Sequence, residues 1–328
     1  MSLSVAGGDG SGFDPERVFE LLGNETRVEI LQRLWEAYDP FAESNGLAFS
    51  DLFDRVGISD SGQFNYHLDK LRSLYVEQID DRYRLTPIGL RLVQSVIAGA
   101  GQSVDYQPTQ VDADCRICGS PIRIAYDGIR VYFVCSSCDG VFDHEDYPDG
   151  TLWGMSLPAA GVANRSPEEI FSVVSFLHWP KKAYLTGKVC PVCSGVLKQS
   201  IDICEEHDSE GEGPCEECGY TDPIKVNWLC SVCKYHGMGT PSGYLHNHPA
   251  VIAFRYEHDI HWGYPYTTSA FEATQREESV RREIEFGLEL VRREPIEMRA
   301  TIRYDGDAIA LTLDEELSVT GVDWPPDN

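Results

Sequence analysis

The sequence is short of positive charge. Its 328 residues hold 27 lysines and arginines against 53 aspartates and glutamates, a formal net charge of −26. Only 7 of the 27 are lysine. Long apolar runs are missing as well: none reaches the roughly 18 residues that a membrane span requires. The first residues, MSLSVAGGDGSG, have neither the basic nor the apolar stretch of a secretory signal, so the expected compartment is the cytoplasm. There is no phosphate-cradling glycine loop and no nucleophile elbow, so no enzyme is expected. Finally, residues 1–114 contain no cysteine; all 11 lie downstream.

The charge deficit bears first on nucleic acid, whose partners normally carry a basic footprint. Either the chain has no such partner, or its acidity is a solubility device in a salty cell. The excess of arginine over lysine, with abundant Asp and Glu, points to a halophilic archaeon. Near 1 M salt the Debye length is about 3 Å, so global repulsion from DNA fades and local charge decides. From Ser59 to Arg91 there are five basic residues (Lys70, Arg72, Arg82, Arg84, Arg91) and five acidic ones (Asp60, Asp69, Glu77, Asp80, Asp81). With 42% hydrophobic and 24% charged residues, the chain has the composition of a folded protein with two or three cores.

What is present at the front is the pattern of a winged helix-turn-helix. Residues 1–13 read as a disordered tail. Asp14-Pro15 opens a helix with Val18, Phe19, Leu21 and Leu22 on its apolar side. Asn24 caps a second, striped by Val28, Ile30, Leu31, Leu34 and Trp35. Ser50 is the expected cap of the first motif helix, Gly57 frees the turn, and Ser59 or Ser61 caps the second helix. There Phe64, His67, Leu68 and Leu71 recur at helical spacing and should face inward. Ser61, Gln63, Asn65, Tyr66 and Lys70 then lie at the start and on the outer side. Gln and Asn pair bidentately with adenine, and Tyr and Lys meet phosphates or base edges; a solvated helix face is the bland alternative. Residues 75–79 and 82–85 form a hairpin wing around Asp80-Asp81, with Arg82 and Arg84 on one face for DNA backbone contacts. Thr86-Pro87 opens a last helix whose wide apolar surface suits a homodimer on double-stranded DNA.

Three stretches, LGNETRVEILQRL, SDSGQFNYHLDKLRSLYV and YRLTPIGLRLV, resemble the winged-helix domain of ArsR-type regulators in the form common among haloarchaea. The resemblance covers about residues 15–99. It implies operator contact by the second motif helix, carried here onto Gln63, Asn65 and Tyr66, with Lys70 less firmly matched. The metal-sensing members of that family use cysteines in the first motif helix or Asp/His pairs in the last. Phe49–Val56 has no Cys and Thr86–Gly99 has no Asp or His, so sensing by those positions does not carry over.

A Gly/Gln/Ser/Pro-containing linker is expected at 101–114, separating a domain at 14–100 from one at 115–328. The second domain opens with Cys115-x2-Cys118 and, sixteen residues on, Cys135-x2-Cys138. Two strands at 122–125 and 129–134 turn at Asp127-Gly128 and bring the knuckles together as a four-thiolate ribbon. Zinc is the expected ion, with rubredoxin-like iron as the rival. Further on stand Cys190-x2-Cys193, Cys204-x2-His207, Cys215-x2-Cys218 and Cys230-x2-Cys233. One pairing nests them: Cys190, Cys193, Cys230 and Cys233 as a second ribbon on strands 197–203 and 224–229, with Cys204, His207, Cys215 and Cys218 as a third site. The other is sequential, joining Cys215 and Cys218 to Cys230 and Cys233, and Cys190 and Cys193 to Cys204 and His207. Either uses every cysteine and allows up to three structural zinc ions.

Elsewhere Ser166-Pro167-Glu168-Glu169 is a capping box for a helix through about His178. Val251–Tyr256 reads as a strand in a stretch crowded with His246, His248, His258, His261 and aromatics, an aromatic core or else a ligand pocket or extra metal site. Residues 272–293 have partly helical patterning. Strands at 297–304, 308–313 and 317–319 form a small meander. Region 115–320 also looks, more loosely, like the cysteine-rich C-terminal half of haloarchaeal proteins of this type. The expected fold class is α+β: a winged helix-turn-helix, then zinc-ribbon modules, then a small antiparallel region. The expected function is transcriptional regulation through DNA, with the zinc module sensing a signal or recruiting a partner. The rival is a zinc-ribbon adaptor for protein or RNA that uses the winged helix as an interaction surface.

Overall fold

The computed structural model describes residues 15–42, 45–72, 74–99, 104–115, 117–207, 213–260 and 284–324. It divides into two compact units, 1–103 and 104–328, and the fold is α+β. Among the described residues no helix is long and apolar enough to cross a membrane.

The first unit holds α1 (Pro15–Leu22), α2 (Glu25–Glu36), β1 (Leu47–Ala48), α3 (Phe49–Val56), α4 (Ser61–Arg72), β2 (Val76–Ile79), β3 (Arg82–Leu85) and α5 (Pro87–Ile97). Its sheet runs β1-β3-β2, all antiparallel. Asn24 caps α2, its Oδ1 accepting from Arg27 N at 3.2 Å. Ile30, Leu31 and Leu34 of α2, Leu52 of α3 and Phe64, Leu68 and Leu71 of α4 fill the core. Val28 and Phe19, expected in the apolar stripes, are exposed; the buried strip of α2 is Ile30, Leu31 and Leu34. Gly57 ends α3 at φ 71°, which an L side chain resists. No side chain caps α3: Ala48, not Ser50, holds that place, since β1 runs directly into the helix. Thr86 caps α5, accepting from Gly89 N at 3.0 Å and donating to Leu74 O at 2.7 Å.

The second unit opens with a sheet of β4 (Thr109–Asp114), β5 (Pro121–Tyr126), β6 (Arg130–Cys135) and β7 (Thr151–Ser156), ordered as numbered. Residues 109–114, expected as linker, are therefore an edge strand, with Val111 buried. A long helix, α6 (Pro167–Thr186), follows; Ser166 and Glu169 form the capping box. It passes His178, the expected end, and continues through Pro180. Proline costs a helix one hydrogen bond, and packing offsets this: Ile170, Phe171 and Val174 sit in the first core of this unit, Leu185 in the second. Next come β8 (Leu197–Ile203), β9 (Ile224–Cys230) and β10 (His236–Gly239), a sheet ordered β10-β9-β8.

Val251–Tyr256 is helical, not a strand. It belongs to α8 (Pro249–Glu257), which follows the short α7 (Ser242–Leu245). His248 caps α8 through Nδ1, accepting from Ala250 N at 3.3 Å, and Pro249 opens it; these end signals outweigh the β-propensity of Val251 and Ile252. The C-terminal sheet is β11 (Glu285–Arg293), β12 (Ile296–Tyr304), β13 (Asp307–Asp314) and β14 (Val319–Asp323), in chain order. The expected helical pattern over 272–293 is replaced at 285–293 by β11, which pairs antiparallel with β12 through a bulge between Leu290 and Arg292; residues 272–283 lie outside the described residues. Met298, Ala300, Leu311 and Leu313 of this sheet share a core with Val226 of β9 and Phe254 of α8.

Candidate functional site

Three ligand clusters stand out in the second unit. Cys115, Cys118, Cys135 and Cys138 form one; Cys190, Cys193, Cys230 and Cys233 another; Cys204, His207, Cys215 and Cys218 the third. Within each, the candidate ligand atoms lie within 4.8 Å of one another. Of the two pairings open from the sequence, the geometry has the nested one. Measured separations are 3.7 Å for Cys115–Cys138, 3.5 Å for Cys118–Cys135, 3.6 Å for Cys190–Cys233 and 3.5 Å for Cys193–Cys230. These are far beyond the roughly 2.05 Å of a disulfide. A tetrahedral ion with sulfur bonds of about 2.3 Å has sulfur–sulfur edges of about 3.8 Å. In the third cluster Cys218 Sγ stands 3.5 Å from His207 Nδ1, close to the edge expected of a mixed nitrogen–sulfur tetrahedron. The residues therefore fit a four-coordinate metal ion, and each donor set is complete.

The backbone explains why the knuckles form. In four of them the second residue after the leading cysteine donates its N–H to that sulfur: Ile117 N to Cys115 Sγ at 3.4 Å, Ser137 N to Cys135 Sγ at 3.3 Å, Val192 N to Cys190 Sγ at 3.4 Å and Val232 N to Cys230 Sγ at 3.4 Å. The residue after the closing cysteine is left-handed at Gly119, Ser194, Gly219 and Lys234, which turns the chain back into the next strand. These donors favour thiolate. Crowding opposes it: burial pushes the Cys138 thiol up to about 12, Cys233 up to about 12 and Cys218 up to about 11. Cys118, bonded to Ser120, is drawn down to about 6. Four adjacent thiolates need a cation between them, and a divalent ion supplies it.

The nested arrangement has a structural consequence. Leu197 pairs with Cys230 at one end of the β8–β9 ladder and Ile203 with Ile224 at the other. Seven residues at about 3.4 Å each separate the second cluster from the third, so one hairpin is clamped at both ends. The third cluster is also keyed to the first ribbon. Phe142 and Tyr220 form a β-bridge and stack at 4.9 Å, and Asp143 N donates to Gly219 O at 3.0 Å.

In the first unit, Phe64, His67, Leu68 and Leu71 of α4 are buried, while Ser61, Gln63, Asn65, Tyr66 and Lys70 are exposed. Ser61 is the first helical residue and not the cap. Asp60 caps α4, its Oδ1 accepting from Gly62 N at 2.8 Å and Gln63 N at 3.0 Å. Asn65 Nδ2 donates to Asp69 at 3.4 Å, and the Lys70 ammonium lies 5.6 Å from the Tyr66 ring. The wing arginines are engaged inside the unit. Arg82 donates through Nε and Nη2 to Gly46 O at 3.1 and 2.7 Å, and Arg84 Nε to Glu77 at 2.8 Å.

Among the described residues, the histidines of the histidine-rich stretch form no ligand cluster. His248 caps α8, and His258 Nε2 lies 3.5 Å from Asp307. His246 lines a cavity that also takes in His178, 5.1 Å from the Trp153 ring. His261 lies outside the described residues. The cavity residues Lys181 and Trp228 carried no sequence signal, because strands and helices far apart in the chain assemble them.

No curated protein and no solved structure matches the chain. Residues 15–96 match a family model described as a domain of unknown function, DUF7347. Residues 112–319, more than half of the chain and all three ligand clusters, match a second, described as a domain of unknown function, DUF7351. The chain belongs to the DUF7351 family.

Proposed function

We propose that the chain is a cytoplasmic DNA-binding transcriptional regulator. It reads an operator with α4, pairs through α5 as a homodimer, and carries a C-terminal unit built on three structural zinc ions. The observation that carries this reading is the division of α4. Four buried residues anchor it to α2 and α3, while Gln63, Asn65, Tyr66 and Lys70 stand in solvent on a helix that follows a tight turn. Gln63 and Asn65 have the bidentate chemistry for adenine, and Tyr66 with Lys70 that for backbone and base edges. Exposed Ile88, Val96 and Ile97 give α5 an unpartnered apolar side for the second subunit.

The wing has a smaller share than its sequence suggests. Arg82 and Arg84 have partners within the unit, and the wing tip is Asp80-Asp81. In strong salt, where release of counterions contributes little, sequence reading by α4 outweighs attraction to phosphate. The zinc ions are closed to substrate, since each site has four protein ligands and a catalytic site keeps one position open. No catalytic role is proposed.

A second reading, an adaptor that binds protein, draws on the exposed apolar tips Ile117, Val192 and Val232 of the knuckles. A gel-shift experiment separates the two. The full chain, in about 1 M salt, should retard DNA from upstream of its own gene in preference to a scrambled duplex. Equal retardation of both duplexes, or none, removes the operator reading.

A further inference from the structure

The second unit encloses a cavity of about 620 Å³, within the range that small-molecule sites occupy. It lies between β6–β7 of the first ribbon, the far half of α6, β9–β10 and α7–α8. Its charge runs against the rest of the molecule. The whole chain has about twice as many acids as bases, 53 against 27. Among the described residues lining the cavity, Arg130, Lys181, Lys182 and Arg255 are basic and Asp222 alone is acidic. In a protein with only 7 lysines, two of them line this cavity.

Two lining groups lack the partner their chemistry calls for. Lys181 Nζ donates to Ser156 O at 2.8 Å but has no carboxylate partner among the described residues. It is partly buried, and desolvation lowers its pKa, so its ammonium is held without a compensating charge. Trp228 Nε1 is buried with no hydrogen-bond acceptor among the described residues. That nitrogen is sealed by its own packing, so Trp228 offers the cavity its ring and no accessible donor. Other walls of the cavity are flat and apolar: Trp153, Trp228, Tyr132 and Phe142. Trp228 lies against the glycines of β10, where a Cβ at Gly237 would come within 2.6 Å of its ring.

We propose that this cavity binds a small organic anion with a planar apolar body, its carboxylate-like head at Lys181 and its ring against the indoles. As a binding site the proposal stands alone; as the effector site of a regulator it rests on the operator reading above.

The test measures binding directly, without DNA. The zinc-loaded full chain is titrated with 2-naphthoate and with its uncharged isostere 2-naphthamide, by calorimetry and tryptophan fluorescence. The acid should bind about tenfold more tightly than the amide, as one charge-assisted hydrogen bond implies. Lys181→Met should remove that advantage and leave amide binding unchanged, and Lys181→Arg should retain most of it. Lys181→Gln, which removes the charge and keeps a polar side chain, supplies the same comparison if Lys181→Met does not fold. Equal affinity for acid and amide, an unchanged preference in Lys181→Met or Lys181→Gln, or no saturation with either compound overturns the proposal. A positive result here with no operator binding leaves the site standing and removes only its regulatory role.

Discussion

His67 sits on the inward side of α4 with Nδ1 buried and without a hydrogen-bond partner among the described residues. Burial, and then the nearby charge of Arg27, hold its pKa below the usual 6.5. The folded state therefore binds this proton less readily than the unfolded chain does. Stability from this group is present above the unfolded value and is lost as the pH falls below about 6.5 towards the depressed folded value. Urea unfolding followed at the N-terminal unit should show wild type losing stability over that window relative to His67→Gln; parallel pH curves would count against a neutral buried imidazole. The same helix shows what a residue pattern can and cannot tell. The inward set was legible because apolar spacing on a helix is regular. The cap was not: Ser59, Asp60 and Ser61 are all good cap residues, and only the position of the first turn selects Asp60.

At the scale of elements, the approach of α5 to the β2 strand start is set by Gly89, where a Cβ would fall 2.1 Å from Tyr75 O. Backbone on one side and helix on the other leave little room to relax. Gly89→Ala should destabilise the N-terminal unit by about 1–3 kcal/mol, the usual cost of overpacking, measured by denaturant titration. An effect near zero would mean that α5 is free to move. The doubly clamped β8–β9 hairpin supplies a second test. The double variant Cys190→Ser/Cys230→Ser should release one zinc of three, because both cysteines serve one site. Release of two ions by this double change would contradict the nested pairing. Strands 197–203 and 224–229 could be read from the sequence because ligand spacing fixes where a ribbon must run. The helix at 249–257 could not, since a short apolar run fits strand or helix equally and its cap is a histidine. Nor could the passage of α6 through Pro180, which depends on cores that residues distant in sequence build.

For the molecule as a whole, the account predicts close to three zinc ions per chain by elemental analysis, and loss of the second unit's fold on prolonged chelation. A value near one would refute the second and third clusters as metal sites. It also predicts a dimer. Val96→Glu on the exposed side of α5 should shift the light-scattering mass from two chains to one and weaken operator binding, because paired half-sites need two readers. A wild-type mass of one chain would place the apolar side of α5 in some other use. The cavity and the charge inversion within it belong to this scale as well. No window of sequence brings Lys181 and Trp228 to one cavity, and only the packing of the ribbons along α6 reveals the site.

The central claim, that α4 reads bases, is tested most directly by enriching bound duplexes from a random pool in about 1 M salt with wild type, Gln63→Ala and Tyr66→Ala. The account predicts a two-fold symmetric motif for wild type, and loss of preference at defined positions in each half-site for the two variants, at about 1–3 kcal/mol per lost base contact. The same motif from all three proteins, or no motif from wild type, would contradict it.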